Sequence, residues 1–201
     1  MKLRFSPTSP YVRKVVVCAA ERDLDARIER IPTSAFDPET DLSADNPLCK
    51  VPVLITDDGA RLYDSRVICE YLDSLHDGDK LFPAPPARWT ALRRQALGDG
   101  MLDAAVLVIL ENRREEGQRS APFVARQTAK IASALDALEI EAETFGETVD
   151  IGTITLACAL GYLDFRFPDE DWRADQPKLA AWFAGFAKRP SMTASVPRDP
   201  A

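Results

Sequence analysis

The sequence has 201 residues, of which 46% are hydrophobic and 28% charged, so it can bury a core and keep a hydrated surface. Its formal net charge of −7 argues against nucleic acid or an anionic membrane surface as the main partner. Its apolar runs fall short of the ~20 residues that a transmembrane helix needs, and its first residues lack the apolar region of an export signal. We therefore expect a cytoplasmic protein that binds neither nucleic acid nor a membrane.

The cysteines and the histidine of the sequence argue against a metal site. Cys18, Cys49, Cys69 and Cys158 are widely spaced and form no CxxC pair, and His76 is the single histidine. Zinc sites need several such ligands at short spacing. We expect reduced thiols, no structural disulfide and no bound metal.

Strand and helix signals alternate from the start of the chain. Residues 2–6 predict a short strand, and Ser9 followed by Pro10 predicts the beginning of a helix. Apolar residues at positions i, i+3, i+4 and i+7 give this helix one apolar face. They are Val12, Val15, Val16 and Ala19. Residues 27–31 then alternate as a second strand, which predicts a β-α-β unit.

An irregular segment and a hairpin follow. Residues 35–48 are polar, contain two prolines and predict at most a short helix. Strands over 51–56 and 60–63 flank Asp57-Asp58-Gly59, which is a turn signal. Asp64-Ser65 then predicts the N-terminus of a helix with an apolar face.

A proline-rich linker separates these elements from an all-helical remainder. The linker sequence Phe82-Pro83-Ala84-Pro85-Pro86 cannot form a helix or a central strand. Helices are predicted over four later segments, 87–115, 122–145, 151–167 and 177–188, and the tail is expected to be irregular. The predicted domains are therefore 1–78 and 87–201, with a linker at 79–86.

Four motifs along the chain carry a resemblance to a known family. They are Ser6-Pro7-Thr8-Ser9-Pro10-Tyr11-Val12-Arg13-Lys14, Lys50-Val51-Pro52-Val53-Leu54, Asp64-Ser65-Arg66-Val67-Ile68 and Leu160-Gly161-Tyr162-Leu163-Asp164-Phe165-Arg166. Together they resemble the bacterial glutathione S-transferases of the two-domain cytosolic type. The resemblance implies the glutathione transferase fold, which is an α/β thioredoxin-like N-terminal domain followed by an all-α C-terminal helical domain.

The second motif resembles the Val-Pro motif of the family, in which a cis proline turns the preceding backbone toward glutathione. The resemblance implies that Pro52 is the structural cis-proline and that Val51 offers its N–H and C=O to the cysteinyl part of glutathione, like an added strand. A trans proline that opens an edge strand is the alternative. Lys50 is implied as a partner of the glycyl carboxylate, with a solvated loop lysine as its alternative.

The third motif resembles the acidic-Ser motif of the family. A helix N-terminus suits a carboxylate, because its N–H groups are free and its partial charge is positive. The resemblance implies that Ser65 binds the γ-glutamyl carboxylate and that Asp64 accepts the neighbouring ammonium. A simple helix cap is the alternative, and both roles can hold together. The family more often has Glu or Gln before the serine, and the shorter side chain of Asp64 extends less far toward the ammonium group.

The first motif contains the candidate catalytic residue. Members of the family activate the glutathione thiol with Tyr, Ser or Cys, and the position nearest to the tyrosine is Phe5, which has no hydroxyl. Ser9 stands where a cysteine-type enzyme has Cys, so the resemblance implies Ser9 as the donor that stabilises the thiolate. The alternatives are Ser6 or Thr8 as the donor, or Ser9 as a helix cap alone.

The resemblance also implies partners and a role. The second substrate is a small hydrophobic electrophile beside the long helix after the linker, with Met101, Leu102 and Ala105 as candidate wall residues. Family members are usually homodimers, which places Tyr71, Arg88 and Arg93 near a partner subunit. The implied function is glutathione conjugation in detoxification, with peroxide reduction, dehalogenation and isomerisation as open alternatives. A non-catalytic glutathione-fold protein with a binding or regulatory role is the alternative from another class.

The start of the helical segment predicted over 151–167 departs from the family pattern. Many members cap this core helix with a Ser or Thr followed three residues later by an Asp. Here Asp150 and Thr153 reverse the two residue types. An Asp caps a helix as well as a Ser, so we expect Asp150 to bond the amide near Thr153.

Overall fold

The computed structural model describes residues 1–199, and these form two compact units. The first unit contains Met1–Ala84 and the C-terminal segment that begins at Pro190, and the second is Pro85–Arg189. The predicted α/β half followed by an all-helical half is confirmed. The predicted domain 87–201 extends to positions 200 and 201, which lie outside the described residues.

The first unit is built on a mixed sheet. Its strands are β1 (Lys2–Phe5), β2 (Glu29–Pro32), β3 (Val53–Ile55) and β4 (Arg61–Leu62), in the order β2-β1-β3-β4. β1 is parallel to β2 and antiparallel to β3, and β3 is antiparallel to β4. The parallel pair is connected by α1 (Pro10–Glu21), as predicted, and α2 (Ser65–Ser74) follows β4.

The second unit is helical. Its helices are α3 (Ala87–Asn112), α4 (Ala121–Glu141), α5 (Ile151–Arg166) and α6 (Pro177–Phe186). Met101, Leu102 and Ala105, expected along an electrophile site, are at most 2% exposed. These three are therefore core side chains of α3, because the turn of the helix directs them into packing. None of the helices that the structure describes has both the length and the apolar character to cross a membrane.

α5 is the central helix of the second unit and packs against α3. Gly152 permits this close approach, since a Cβ there would lie 2.6 Å from the Cβ of Arg94. Asp150 caps α5 by accepting a bond from the Thr153 amide at 2.8 Å. The Thr153 hydroxyl in turn accepts from the Asp150 amide at 3.0 Å, which completes a capping box. Asp150 and Thr153 therefore each accept a hydrogen bond from the other's amide, and the reversed residue types still cap the N-terminus of α5.

A cluster of charged residues ties α3 to the end of α4. Arg94 is 6% exposed and donates to the carboxylate of Glu141 at 2.8 Å and to the Thr144 hydroxyl at 2.8 Å. Its guanidinium also lies 4.6 Å from the centre of the Phe145 ring. Arg93, expected near a partner subunit, donates to Glu141 at 2.7 Å. Burial alone would raise the pKa of Glu141, but hydrogen bonds from the two arginines hold it below its ordinary value.

The C-terminal segment belongs to the first unit, although the sequence assigned it to the helical domain and predicted an irregular tail. It contains α7 (Pro190–Thr193), which contacts α1. Arg13 donates to the Met192 carbonyl at 3.3 Å and to the Ser195 hydroxyl at 3.5 Å. The Ser191 hydroxyl donates to the carboxylate of Glu21. These contacts explain why Arg13 is only 8% exposed on a helix that was predicted to have one apolar face.

Candidate functional site

The register of the sheet brings three of the four motifs to one edge. β1 pairs antiparallel with β3, so the chain that follows Phe5 and the chain that precedes Val53 lie at the same end of these strands. β3 pairs antiparallel with β4, so the chain that follows Leu62 lies at this end as well. The turn before α1, the start of β3 and the N-terminus of α2 therefore meet at this edge, which we call the site edge.

Ser9 lies at the N-cap of α1, as its sequence position predicted. Its hydroxyl accepts a hydrogen bond from the Val12 amide at 3.3 Å, and its own amide donates to the Ser6 carbonyl at 3.3 Å. Pro10 follows at the first helical position, where a missing N–H costs nothing. The bond from Val12 uses a lone pair of the hydroxyl oxygen, so the hydroxyl proton stays available for donation.

Two further hydroxyl groups stand in the same turn. Those of Ser6 and Thr8 lie 3.2 Å apart, so one donates to the other. The accepting hydroxyl keeps its own proton and can give it to a ligand. The turn therefore offers more than one donor, and Ser6 and Thr8 stand beside Ser9 as alternatives.

The start of β3 has the backbone that the Val-Pro motif implies. The Val51–Pro52 peptide bond is cis. Pro52 is buried, Val51 is half-buried and Lys50 is exposed. The Lys50 carbonyl accepts a hydrogen bond from the side-chain amide of Asn46 at 2.9 Å. The main chain at Val51 therefore reaches the site edge with its preceding carbonyl already bonded.

The N-terminus of α2 separates the roles of its two motif residues. Asp64 is the N-cap, and its exposed carboxylate accepts from the Arg66 amide at 2.9 Å. Ser65 is the first helical residue and is 2% exposed. Across the described residues, its hydroxyl has no hydrogen-bond partner. Ser65 is therefore not the cap of this helix, and its hydroxyl is available to a ligand.

A buried carboxylate that the sequence did not reveal bonds to two strands of the sheet. Asp45 is 6% exposed and accepts bonds from Arg4 at 2.7 Å and from Arg61 at 2.7 Å. Burial alone would raise the pKa of Asp45, but hydrogen bonds from Arg61 and Arg4 hold it below its ordinary value. The sequence carried only a faint signal, a carboxylate and an amide placed together, Asp45-Asn46, in a segment expected to be irregular.

The remaining candidate ligands of the chain are dispersed. Cys18, Cys69 and Cys158 are buried thiols, and Cys49 is half-buried. Within residues 1–199, His, Cys, Asp and Glu side chains form no group of three or more that could hold a metal ion.

Comparison with known proteins identifies the family of the chain. The family model described as Glutathione S-transferase, N-terminal domain, matches residues 8–75, and that described as Glutathione S-transferase, C-terminal domain, matches residues 121–185. Among curated proteins, the chain is 34% identical over 201 residues to the uncharacterized GST-like protein YibF of Escherichia coli K12, with 98% of each covered.

Solved structures agree with this assignment. A glutathione transferase family member from Pseudomonas fluorescens Pf-5 with bound glutathione has 44% identity and a TM-score of 0.93, covering 98% of this chain and 99% of that one. A glutathione S-transferase from Methylobacillus flagellatus KT with GSH bound has 39% identity and a TM-score of 0.92, with the same coverage. The chain therefore belongs to the glutathione S-transferase family and has the fold of that family.

Proposed function

We propose that this protein is a glutathione transferase that binds glutathione at the site edge and activates its thiol for attack on a small hydrophobic electrophile. The observation that carries the proposal is the Ser9 hydroxyl, which caps α1 with a lone pair and keeps its proton. The Pseudomonas and Methylobacillus relatives are described with glutathione bound, which supports glutathione as the ligand.

Each part of glutathione has a matching group at the site edge. The N–H and C=O of Val51 pair with the cysteinyl part of glutathione in the manner of an added strand. The γ-glutamyl carboxylate lies at the N-terminus of α2, where the Ser65 hydroxyl and free helix amides donate to it. Asp64 uses one carboxylate oxygen for the cap and leaves the other to the ammonium group. Lys50 is exposed and pairs with the glycyl carboxylate.

The thiolate is stabilised by two contributions at the start of α1. A hydrogen bond from Ser9 to the charged sulfur is worth ~1.5–3 kcal/mol, and the helix N-terminus adds ~0.3–1 kcal/mol. Lowering the pKa of a thiol by two units takes ~2.7 kcal/mol. The two contributions reach this value, so the thiolate becomes the main species near neutral pH.

The proposed reaction is a conjugation. The glutathione thiol loses its proton to solvent, and a sulfur electron pair forms a bond to the electrophilic carbon. The leaving group departs with the electrons of the broken bond, so glutathione and the electrophile give the conjugate, the leaving group and one proton. Ser9 donates a hydrogen bond throughout and is itself unchanged.

Two measurements on the wild-type protein test this proposal. Calorimetric titration with glutathione should give saturable binding with an affinity between micromolar and millimolar. A conjugation assay with an aromatic halide should then show turnover that depends on glutathione. Absence of binding would refute the proposal, and binding without turnover of any electrophile would favour the non-catalytic alternative.

We further propose that the protein works in the cytoplasm as a homodimer. Buried thiols at Cys18 and Cys158 suit a reducing compartment. Large apolar side chains are exposed in both units, and Leu48 and Trp89 are 66% and 64% exposed. Such side chains suit a subunit interface. Sedimentation at several concentrations tests the dimer, and a monomer at every concentration would refute it.

A further inference from the structure

We propose that Asp45 is a positioning residue that fixes the glutathione-binding main chain at Val51. It acts through the adjacent residue, Asn46, whose side chain bonds to the carbonyl of Lys50. The ligand named in this inference rests on the proposed function. The mechanical part of the inference, namely that Asp45 fixes the peptide group between Lys50 and Val51, rests on the contacts of the described residues alone.

Asp45 is anchored to two strands of the sheet. One carboxylate oxygen accepts from Arg4 on β1 at 2.7 Å, and the other accepts from Arg61 on β4 at 2.7 Å. β1 and β4 lie on opposite sides of β3 in the sheet. The carboxylate therefore bridges the strands that flank β3, the strand that Val51 and Pro52 lead into. At 6% exposure, Asp45 is held largely out of solvent.

Asn46 transmits this anchor to the following loop. It is 2% exposed, its Nδ2 donates to the Lys50 carbonyl at 2.9 Å, and its Oδ1 accepts from the Leu48 amide at 3.0 Å. Its own carbonyl accepts from the Cys49 amide at 2.8 Å. The loop 46–50 is therefore held together by hydrogen bonds to one buried residue, Asn46.

The bond to Lys50 sets the direction of the ligand-binding amide. The carbonyl of Lys50 and the N–H of Val51 belong to the same planar peptide group. When Asn46 holds that carbonyl, the N–H of Val51 points in a fixed direction on the opposite side. A ligand that pairs with this N–H therefore binds a group that is already oriented, so less conformational entropy is lost on binding.

The segment before this loop has little regular structure of its own. It contains one short turn of 3-10 helix, Leu42–Ala44. Its position on the sheet therefore depends on side-chain anchors such as Asp45. Without the carboxylate, Arg4 and Arg61 lose a shared partner. The segment then loses its attachment to β4, and its attachment to β1 is reduced to the exposed pair of Asp41 with Arg4 at 2.9 Å.

The test compares Asp45→Asn with Asp73→Asn in the full-length protein. Asp73 is a matched control because it is 4% exposed in the same unit, and it accepts from the amides of Leu81 at 2.8 Å and Phe82 at 3.1 Å. Its partners lie outside the loop 46–50. Both variants should lower the melting temperature, which separates general destabilisation from positioning.

Hydrogen exchange of the ligand-free protein gives the first readout. In Asp45→Asn, exchange at the amides of Leu48 and Cys49 should accelerate by roughly tenfold or more, since local opening governs such rates. In Asp73→Asn, these two amides should exchange as in the wild type. Unchanged exchange in a folded Asp45→Asn protein would overturn the inference, whether or not glutathione binds.

Calorimetric titration with glutathione gives the second readout. The dissociation constant should rise roughly tenfold in Asp45→Asn, because the ligand must then order the loop itself, and should stay within about twofold in Asp73→Asn. Faster exchange with an unchanged dissociation constant would overturn the link to the ligand. Absence of binding by the wild type would instead refute the proposed function, and hydrogen exchange would still decide the mechanical part.

A second variant covers the case in which Asp45→Asn does not fold. Asn46→Ala removes the bond to the Lys50 carbonyl and leaves the ion cluster of Asp45 in place. It should reproduce the faster exchange at Cys49 and the weaker binding. Wild-type exchange and affinity in Asn46→Ala would overturn the proposed transmission.

Discussion

The hydroxyl of Ser9 accepts a hydrogen bond from the backbone amide of Val12 at 3.3 Å, at the point where α1 begins. The bond fills one lone pair of the oxygen and leaves the proton of the hydroxyl for a second partner. Capping the helix and donating to a thiolate are therefore compatible roles. Variants of Ser9 can separate them, because the cap contributes to stability and the donated proton contributes to the pKa of bound glutathione.

Replacing Ser9 by Ala should raise the thiol pKa of bound glutathione. Loss of the donated hydrogen bond should raise it by about one to two units, which corresponds to roughly 1.4–2.7 kcal/mol. Turnover near neutral pH should fall roughly ten- to a hundredfold while the affinity for glutathione changes little. The measurement is the thiolate absorbance of bound glutathione as a function of pH. Identical titration curves for wild type and Ser9→Ala would leave the serine as a helix cap.

Two companion variants sharpen that result. Ser9→Cys places a thiol at a helix N-terminus, which should lower the pKa of that thiol and favour a mixed disulfide with glutathione. Ser6→Ala serves as the matched control, since it removes a neighbouring hydroxyl and leaves the cap intact. A pKa rise in Ser6→Ala with none in Ser9→Ala would move the donor role to Ser6.

Ser65→Ala should weaken glutathione binding and leave the fold almost unchanged. The Ser65 hydroxyl does not cap α2, because Asp64 does. Loss of a bond to a buried carboxylate should cost about 1.5–3 kcal/mol of binding free energy. Asp64→Ala should lower both quantities, since it removes the bond to the ammonium group and also lowers the free energy of unfolding by about 0.5–2 kcal/mol, the usual cost of losing a cap. Calorimetry and urea denaturation measure the two quantities.

A serine at the other end of α2 supplies the control for that prediction. The hydroxyl of Ser74 donates to the Tyr71 carbonyl at 2.6 Å, away from the helix N-terminus. Ser74→Ala should leave glutathione affinity at the wild-type value. If Ser65→Ala lowers the melting temperature and keeps the affinity, the role assigned to its hydroxyl is wrong.

Lys50→Gln should weaken binding modestly and reduce its salt dependence. Lys50 is exposed, so its pairing with the glycyl carboxylate should be worth about 0.2–1 kcal/mol. Salt screens such a pair, so the affinity difference from wild type should shrink as ionic strength rises. Titrations at low and high salt measure this, with Lys2→Gln as a control at an exposed lysine paired with Glu29. An equal salt dependence in wild type and Lys50→Gln would exclude the pairing.

Local signals accounted for much of the fold. The cap and proline at Ser9-Pro10 predicted where α1 begins, and Asp150 predicted the cap of α5, because each acts on amides within three residues of itself. The hairpin of β3 and β4 followed from Asp57-Asp58-Gly59 in the same way. A residue whose partner is a near neighbour reveals its role in the sequence.

Partners far apart in sequence had no such signal. Arg4 and Asp45 are 41 residues apart, and Arg13 and Met192 are 179 apart. Periodicity showed that α1 has an apolar face, but it could not show that α7 would cover Arg13. The motifs at the site edge could be named from the sequence. The bonds of Asp45 to Arg4 and Arg61, which hold the segment before the loop 46–50, could be recognised only in the three-dimensional structure.

Because Glu141 is paired with Arg93 and Arg94, the stability of the helical unit should decrease in acid. The arginines hold the pKa of Glu141 below its ordinary value of about 4.3. The carboxylate is therefore charged in both the folded and the unfolded chain near neutral pH, and its stabilising effect is complete there. As the pH falls through the lowered pKa, the carboxylate takes up a proton and this stabilisation is lost.

Glu141→Gln should therefore lower the free energy of unfolding most at neutral pH. The loss should be about 1–2 kcal/mol, between the values for exposed and buried ion pairs, since the side chain of Arg94 is 7% exposed but that of Glu141 is half-buried, at 18%. Urea denaturation of both proteins should give curves that differ at neutral pH and converge in acid. Glu143→Gln is the control, because that carboxylate is 72% exposed in its pair with Lys178 and should contribute about 0–1 kcal/mol. A difference between wild type and Glu141→Gln that stays constant from neutral to acid pH would show that the charge of Glu141 does not stabilise the helical unit.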